Sequence, residues 1–160
     1  MKRIIVPILT VLVMSFIFFE SSLPADLSAR QSGFLAKLLG QFGTPEVTFW
    51  IRKAAHFTEF AVLGLLLSFL FERITFKQIQ RDSARVLLKR ILAFLTGAFY
   101  GATDEIHQLF VPGRSCELRD VGIDAAGVLF GVLIGSFFLF LTARRAINDE
   151  KGKNNLSQST

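Results

Sequence analysis

The sequence contains too little cysteine for several classes of site. Cys116 is the only cysteine, so an intrachain disulfide and a zinc site built on two cysteines of one chain are both excluded. Three catalytic signatures are also missing: the nucleophile elbow, the phosphate-binding P-loop and the zinc-binding helix of metalloproteases. No basic patch interleaved with aromatic residues occurs, so we expect no nucleic-acid partner. These absences remove particular chemistries and leave the question of catalysis open.

Apolar residues are present in excess. Hydrophobic residues make up 51% of the 160 residues, the mean hydropathy is +0.48, and phenylalanine alone occurs 18 times. Several apolar runs approach the ~20 residues that a helix needs to cross a bilayer. The composition therefore predicts one integral membrane domain. The net charge of +5 is then explained by basic loops on the cytoplasmic side.

The apolar runs predict an all-α, polytopic membrane protein, a four-transmembrane-helix bundle with a short interfacial amphipathic helix. Leu23 stands where a signal-peptide cleavage site needs a small residue, which favours an uncleaved first helix over a signal peptide. The polar residues 148–160 predict a disordered cytoplasmic tail after a membrane domain of residues 1–147. We expect the spanning helices at about residues 4–23, 45–71, 86–109 and 121–141.

Residues 24–43 connect the first two spans and carry apolar side chains at helical spacing. This pattern is typical of an amphipathic helix that lies on the membrane surface, although an ordinary helix outside the membrane would show it too. Thr44 and Pro45 then predict the start of the second span, as N-cap and first helical residue. The apolar side chains of the connection are Phe34, Leu35, Leu38, Leu39 and Phe42.

Basic residues predict the orientation of the spans. Cytoplasmic loops of membrane proteins carry an excess of lysine and arginine. Here these residues concentrate at the N-terminus, between the second and third spans, and after the fourth span. The pattern predicts a multi-pass protein of the cell membrane with both termini in the cytoplasm. The residues are Lys2, Arg3, Arg73, Lys77, Arg81, Arg85, Lys89, Arg90, Arg144, Arg145, Lys151 and Lys153.

Ionisable residues gather at the opposite ends of the spans, which this topology places toward the outer face. Charged groups in a spanning helix are costly unless they pair or line a wet cavity, so they are functional-site hypotheses by default. The candidates for acid–base catalysis are His56, Glu59, Asp104, Glu105, His107, Asp120 and Asp124. The candidates for ligand binding are Arg52, Lys53, Gln108, Arg114 and Arg119.

Glycines recur every four residues on the same helix faces as some of these carboxylates. Small residues let membrane helices approach closely, and carboxylates in a span point toward the bundle interior. Both signals predict the same interior faces. They consist of Gly97, Gly101, Asp104 and Gln108 in the third span and of Asp120, Asp124, Gly127, Gly131 and Gly135 in the fourth.

Four interpretations of the polar cluster stay open. Carboxylates beside histidine suit acid–base work on an ester or a phosphodiester. They are also ligand types for a divalent metal, but their spacing matches no zinc signature, so we assign no metal ligand and no cofactor from the sequence. Arginines can grip an anionic head group through paired hydrogen bonds. The structural alternative is an ion-pair network in which Arg52 or Arg114 meets Asp104, Asp120 or Asp124.

Three segments in combination resemble the VanZ-like family of small polytopic bacterial membrane proteins, over about residues 50–135. The founding member is associated with resistance to the glycopeptide antibiotic teicoplanin, so the resemblance implies a role in the cell envelope. The segments are Arg52-Lys53-x-x-His56-Phe57-x-Glu59-Phe60-x-x-Leu63-Gly64, Asp104-Glu105-x-His107-Gln108-x-Phe110-Val111-Pro112-Gly113-Arg114 and Asp120-Val121-x-x-Asp124-x-x-Gly127.

Two classes of function follow from the cluster and the resemblance. The first is a membrane protein that binds or modulates an anionic envelope component, with membrane lipids or a lipid-linked envelope precursor as partner, and that thereby affects glycopeptide susceptibility. The second is a membrane-embedded enzyme that acts on a lipid-linked cell-wall or lipoteichoic-acid substrate by acid–base or metal-assisted chemistry. The sequence predicts no particular oligomeric state.

Overall fold

The computed structural model describes residues 2–38, 40, 44–76, 79 and 82–157, with side chains for residues 4–150 of these ranges. Leu39, Phe42, Lys77 and Arg81 of the predictions above lie outside the described residues. Within these ranges the chain forms five helices and no strand: α1 Lys2–Ser21, α2 Ala25–Leu38, α3 Pro45–Glu72, α4 Asp82–Gln108 and α5 Leu118–Ser157.

Four of these helices are long and apolar enough to cross a membrane. The candidate spans are Ile4–Ser21, Pro45–Glu72, Asp82–Gln108 and Leu118–Glu150. The outer surface of the bundle carries large apolar side chains, among them Phe99 at 73% exposure, which suits contact with lipid. The prediction of an all-α, multi-pass membrane protein is confirmed.

The ends of the helices follow local sequence signals in most places. Thr44 is the N-cap of α3, its hydroxyl accepts a hydrogen bond from the backbone N–H of Val47 at 3.3 Å, and Pro45 occupies the first turn as predicted. α4 ends at Gln108, ahead of Pro112, which cannot continue a helix.

The fifth helix is longer than its apolar run. It continues through Ser157, whereas the polar composition predicts disorder from Asn148. That prediction is wrong for residues 148–157. The physical reason is that an existing helix adds a residue at little cost, and alanine, arginine, glutamate and lysine after the span are good helix formers.

The connecting helix α2 turns its apolar side outward. Phe34 and Leu38 are 63% and 67% exposed, while the buried positions are the small residues Ser28, Ser32 and Ala36. A helix in water would bury its large apolar side chains against the protein. The reversed arrangement favours a helix that rests on the membrane surface with Phe34 and Leu38 toward the acyl chains.

The core of the bundle is the contact between α3 and α5, the most extensive between any two helices. Gly131 of α5 lies so close to α3 that a Cβ there would be 1.9 Å from the carbonyl oxygen of Ala61. Gly64 of α3 approaches the backbone of Val128 in the same way. The predicted packing role of the α5 glycines is therefore confirmed. The apolar core around this contact includes Ile17, Phe60, Leu63, Leu67, Ala93, Val128 and Val132.

Candidate functional site

The polar residues gather at one end of the bundle, where α1 and α4 end and α3 and α5 begin. Because successive spans run in opposite directions, these four helix ends meet on one side. The polar or charged side chains buried there include Ser21, Lys53, Asp104, Glu105, Gln108 and Asp124. Each of them needs a partner of opposite polarity, because an unpaired polar group away from water is costly.

Lys53 and Asp120 form an ion pair at the rim of the site. The Lys53 ammonium donates to both carboxylate oxygens of Asp120, and both side chains are largely buried. The same ammonium lies 4.9 Å from the centroid of the Phe49 ring, a cation–π contact that supports it from one side. Lys53 is thus committed to a partner within the protein, and it links α3 to the start of α5.

Deeper in the bundle, His56 of α3 faces Asp124 of α5. Their nearest atoms, Nδ1 and Oδ1, are 3.4 Å apart. Asp124 is fully buried, yet neither of its carboxylate oxygens has a hydrogen-bond partner among the described residues, and the same holds for His56 Nδ1. The contact is therefore one of charge and proximity without a well-formed hydrogen bond.

Asp104 and Glu105 of α4 are held by residues from the surrounding loops and helices. Oδ2 of Asp104 accepts a hydrogen bond from the Ser21 hydroxyl at 2.6 Å and another from the Gln108 amide at 3.1 Å. Glu105 accepts hydrogen bonds from the Gln108 amide and from the backbone N–H of Glu117, each at 3.1 Å. Oδ1 of Asp104 has no partner in the described part of the chain.

Arg114 ties the loop after α4 to the end of α1. Its guanidinium donates to the carbonyl oxygens of Glu20 and Leu23 at 3.2 and 3.1 Å and to the side-chain oxygen of Gln108 at 3.3 Å. Carbonyls at a helix C-terminus lack partners within the helix, so the arginine completes the last turn of α1. Burial lowers the pKa of Arg114 from its ordinary value, and the nearby charge of Arg52 adds to this effect.

An open cavity of about 350 Å³ lies between α1, α2 and α3 next to this cluster. Its ionisable lining residues are Glu20, Arg52, His56, Glu59 and Arg114, and its apolar lining includes Phe16, Phe34, Leu35 and Ile51. A smaller cavity of about 60 Å³ lies beyond Arg52 and His56 and reaches Lys53 and Asp120. Three of the predicted residues, Arg52, His56 and Arg114, line both cavities.

Two predicted site residues stand apart from the cluster around His56. The imidazole of His107 stacks on Phe18 with 4.5 Å between ring centroids, and its Nε2 lies 3.0 Å from the Ser22 hydroxyl. Arg119 is exposed and pairs with Glu117 at 3.4 Å. Cys116 is also exposed, with a free thiol.

The predicted ion-pair network has other members than expected. Among the described residues, neither Arg52 nor Arg114 forms an ion pair with Asp104, Asp120 or Asp124; Asp120 pairs with Lys53, and Asp124 lies beside the imidazole of His56. The reason is that Arg114 turns back toward the carbonyls of α1, a contact that helical periodicity does not show.

The sequence reasoning did not include the contribution of α1 to the site. Ser21 holds Asp104, Ser22 contacts His107, and Glu20 lines the larger cavity. A usable signal was present, because Glu20, Ser21 and Ser22 end an apolar run at the same end of the bundle as the other polar groups.

One group of side chains has the composition of a metal site. His56, Asp104 and Asp124 each offer one ligand atom, and these three atoms lie within 4.8 Å of one another. The three residues come from three different helices, so no spacing along the chain could reveal the arrangement.

The comparison with known families agrees with this architecture. The model of the family described as VanZ/LLP1 matches residues 6–140, which covers the second and third spans completely and most of the first and fourth. No curated protein and no solved structure matches the chain.

Proposed function

The chain belongs to the VanZ/LLP1 family of membrane proteins, and from this premise we propose that its larger cavity binds the anionic head group of a membrane lipid or of a lipid-linked envelope precursor. The protein would act at the cell membrane and modulate the envelope. Altered susceptibility to glycopeptides such as teicoplanin would be one consequence of that binding.

The observation that carries the proposal is that Arg52 faces the cavity without a partner among the described residues. Its guanidinium lines the cavity and makes no hydrogen bond or ion pair with any residue that the structure describes. Arg114 lines the same cavity, so two like charges face one space. An anion between them would relieve their repulsion and would accept paired N–H donors from Arg52.

The walls of the cavity fit an amphiphile. Phe16 of α1 and Phe34 and Leu35 of α2 supply apolar surface beside the arginines. A lipid could place its charged group on Arg52 while its hydrocarbon follows the outward-facing side of α2 into the membrane. Glu20 and Glu59 line the cavity too, and their carboxylates would accept hydrogen bonds from hydroxyl or amino groups of the head group.

The topology of the proposal follows from the basic residues. Lys89 and Arg90 lie at the opposite end of the bundle from the cavity, where both contact Glu72. With that end and both termini in the cytoplasm, the cavity opens toward the outer leaflet. This is the side on which glycopeptides meet envelope precursors.

A second candidate function, catalysis on a lipid-linked cell-wall or lipoteichoic-acid substrate, rests on the unpartnered carboxylate oxygens of Asp104 and Asp124 behind His56. His56 lines the cavity, so a group bound there would lie next to an imidazole backed by two carboxylates. Such an arrangement can serve acid–base or metal-assisted chemistry on an ester or a phosphodiester.

The binding proposal is tested with purified protein in nanodiscs of phosphatidylcholine, to which phosphatidylglycerol is added, and bound lipid is measured by native mass spectrometry. We expect the protein to retain phosphatidylglycerol preferentially and Arg52→Gln to weaken retention about tenfold, since a hydrogen bond to a charged group contributes ~1.5–3 kcal/mol. Arg119→Gln is the matched control, because that exposed arginine lies outside both cavities. Equal retention by wild type and Arg52→Gln would overturn the proposal.

A further inference from the structure

We infer that His56, Asp104 and Asp124 form a binding site for one divalent transition-metal ion of the zinc class, at the inner end of the polar cluster. Its three residues come from α3, α4 and α5, at the end of the bundle where α4 ends and α3 and α5 begin. The metal site is a second site that does not depend on lipid binding. Asp104 and Asp124 do not line the larger cavity, and His56 is the one residue of the three that does.

The first argument is the burial of oxygens without partners. Asp124 is 0% exposed and Asp104 is 4% exposed, and three of their four carboxylate oxygens have no hydrogen-bond donor in the described ranges. Buried polar atoms nearly always have a hydrogen-bond partner, and each exception calls for an explanation, such as a bound ion. A cation bound between the two carboxylates provides one.

The second argument is the local balance of charge. Two carboxylates lie within a few ångströms of one another, and a single imidazole can supply at most one positive charge. Of the other cations of the cluster, Lys53 pairs with Asp120, Arg114 donates to the end of α1, and Arg52 forms no ion pair with a carboxylate of the described residues. A divalent ion would balance both carboxylates while His56 stays neutral, as a metal ligand must be.

The third argument is geometry. Two ligands at about 2.0–2.1 Å from a tetrahedral zinc ion lie ~3.3 Å apart. The 3.4 Å between His56 Nδ1 and Asp124 Oδ1 is close to this value. The three ligand atoms lie within 4.8 Å, so rotation of a carboxylate can bring all of them to one ion. One nitrogen and two oxygens suit zinc or manganese better than calcium, which takes six to eight oxygens.

The carboxylate of Asp104 is oriented by hydrogen bonds, as metal-binding carboxylates usually are. Ser21 and Gln108 both donate to Oδ2, which orients the carboxylate and leaves Oδ1 for the ion. Gly101 leaves room beside Asp124, since a Cβ there would lie 3.1 Å from its Cβ. Three protein ligands leave a tetrahedral ion one further position, for water or for a group that enters past His56.

The site is tested on the full chain purified in detergent, stripped with a chelator and then incubated with Zn²⁺ or Mn²⁺ alone. Metal content is measured by mass spectrometry after gel filtration, and thermal unfolding is followed by circular dichroism. We expect about one ion per chain. At a hundredfold excess over the dissociation constant we expect a rise in melting temperature of about 5–10 °C, because the ion joins three helices of the folded state.

Matched variants separate this site from adventitious binding. His56→Gln and Asp124→Asn should lose the ion and the thermal shift, whereas His107→Gln and Asp82→Asn, outside the cluster, should keep both. Should a cluster variant fail to fold, the visible absorption of Co²⁺ bound to the wild type reports tetrahedral coordination directly. A folded wild type that binds no ion, or equal binding by all four variants, would overturn the inference. Arg52→Gln should still bind metal, so failure of the lipid proposal is recognised separately.

Discussion

The close approach of α3 and α5 leads to a sharp prediction for Gly131. In Gly131→Ala the new Cβ would lie 1.9 Å from the carbonyl oxygen of Ala61 and 2.7 Å from the backbone nitrogen of Leu65. These are backbone atoms of a helix, so no side chain can rotate away to make room. The two helices must separate by about 1.5 Å locally to reach an ordinary contact distance.

The magnitude follows from the cost of overpacking. Extra methyl groups in a well-packed core typically cost ~1–3 kcal/mol, and a backbone clash belongs at the upper end of that range. We therefore expect Gly131→Ala to lower the free energy of unfolding by about 2 kcal/mol, because the better helix propensity of alanine offsets ~1 kcal/mol of the ~3 kcal/mol overpacking cost. Gly131→Leu should lower the free energy of unfolding further. Phe138 is 52% exposed on the side that faces lipid, so Phe138→Leu should have a small effect.

Gly122 provides the control within the same helix. A Cβ at Gly122 meets nothing within 4 Å, so Gly122→Ala should be neutral or stabilising by up to ~1 kcal/mol. Unfolding of the three purified proteins in mild detergent, followed by circular dichroism during titration with a denaturing detergent, measures the difference. Independent substitutions add to within ~0.5 kcal/mol. If the free energies of unfolding of Gly131→Ala and Gly122→Ala differ by less than that, the packing argument is refuted.

Three further predictions concern the polar end and the orientation. A reporter fused after Lys77 should read as cytoplasmic and one inserted in residues 32–43 as external; an external signal at Lys77 would refute the placement of the cavity at the outer leaflet. Asp124→Asn should give folded, membrane-inserted protein of near-normal abundance without the envelope phenotype, measured as teicoplanin susceptibility on overexpression, because no arginine depends on Asp124 for a partner. Loss of abundance together with the phenotype would instead indicate a scaffold role. Lys53→Met should destabilise the protein by about 3 kcal/mol because it strands a largely buried Asp120; a double variant with Asp120→Leu should recover part of that loss, and no recovery would contradict the pairing.

Much of the fold follows from the chain's apolar runs, for reasons that are local. A run of about twenty apolar residues must form a helix to satisfy its backbone in lipid, so the number and order of the spans could be read directly. Thr44 and Pro45 marked a helix start through capping chemistry that acts within one turn. Helical periodicity also placed Gly131 and Asp124 on an interior face, as the structure shows.

The end of α5 shows where such local reading fails. The polar residues after the span suggested disorder, yet helix propagation carries the structure on through Ser157. Composition measures whether a segment can bury apolar surface. It does not show that the segment can extend an existing helix, which requires no new nucleation.

The order of apolar and charged segments is enough to predict that the charged residues meet at one end of a four-helix membrane bundle, because alternating spans bring those helix ends to the same side. Which of these groups become partners depends on how the helices pack. Lys53 meets Asp120, Arg114 completes α1, and His56 comes close to Asp104 and Asp124. The physical reason is that periodicity defines a face within one helix, whereas the rotation and depth of one helix against another depend on backbone contacts such as that of Gly131 with Ala61.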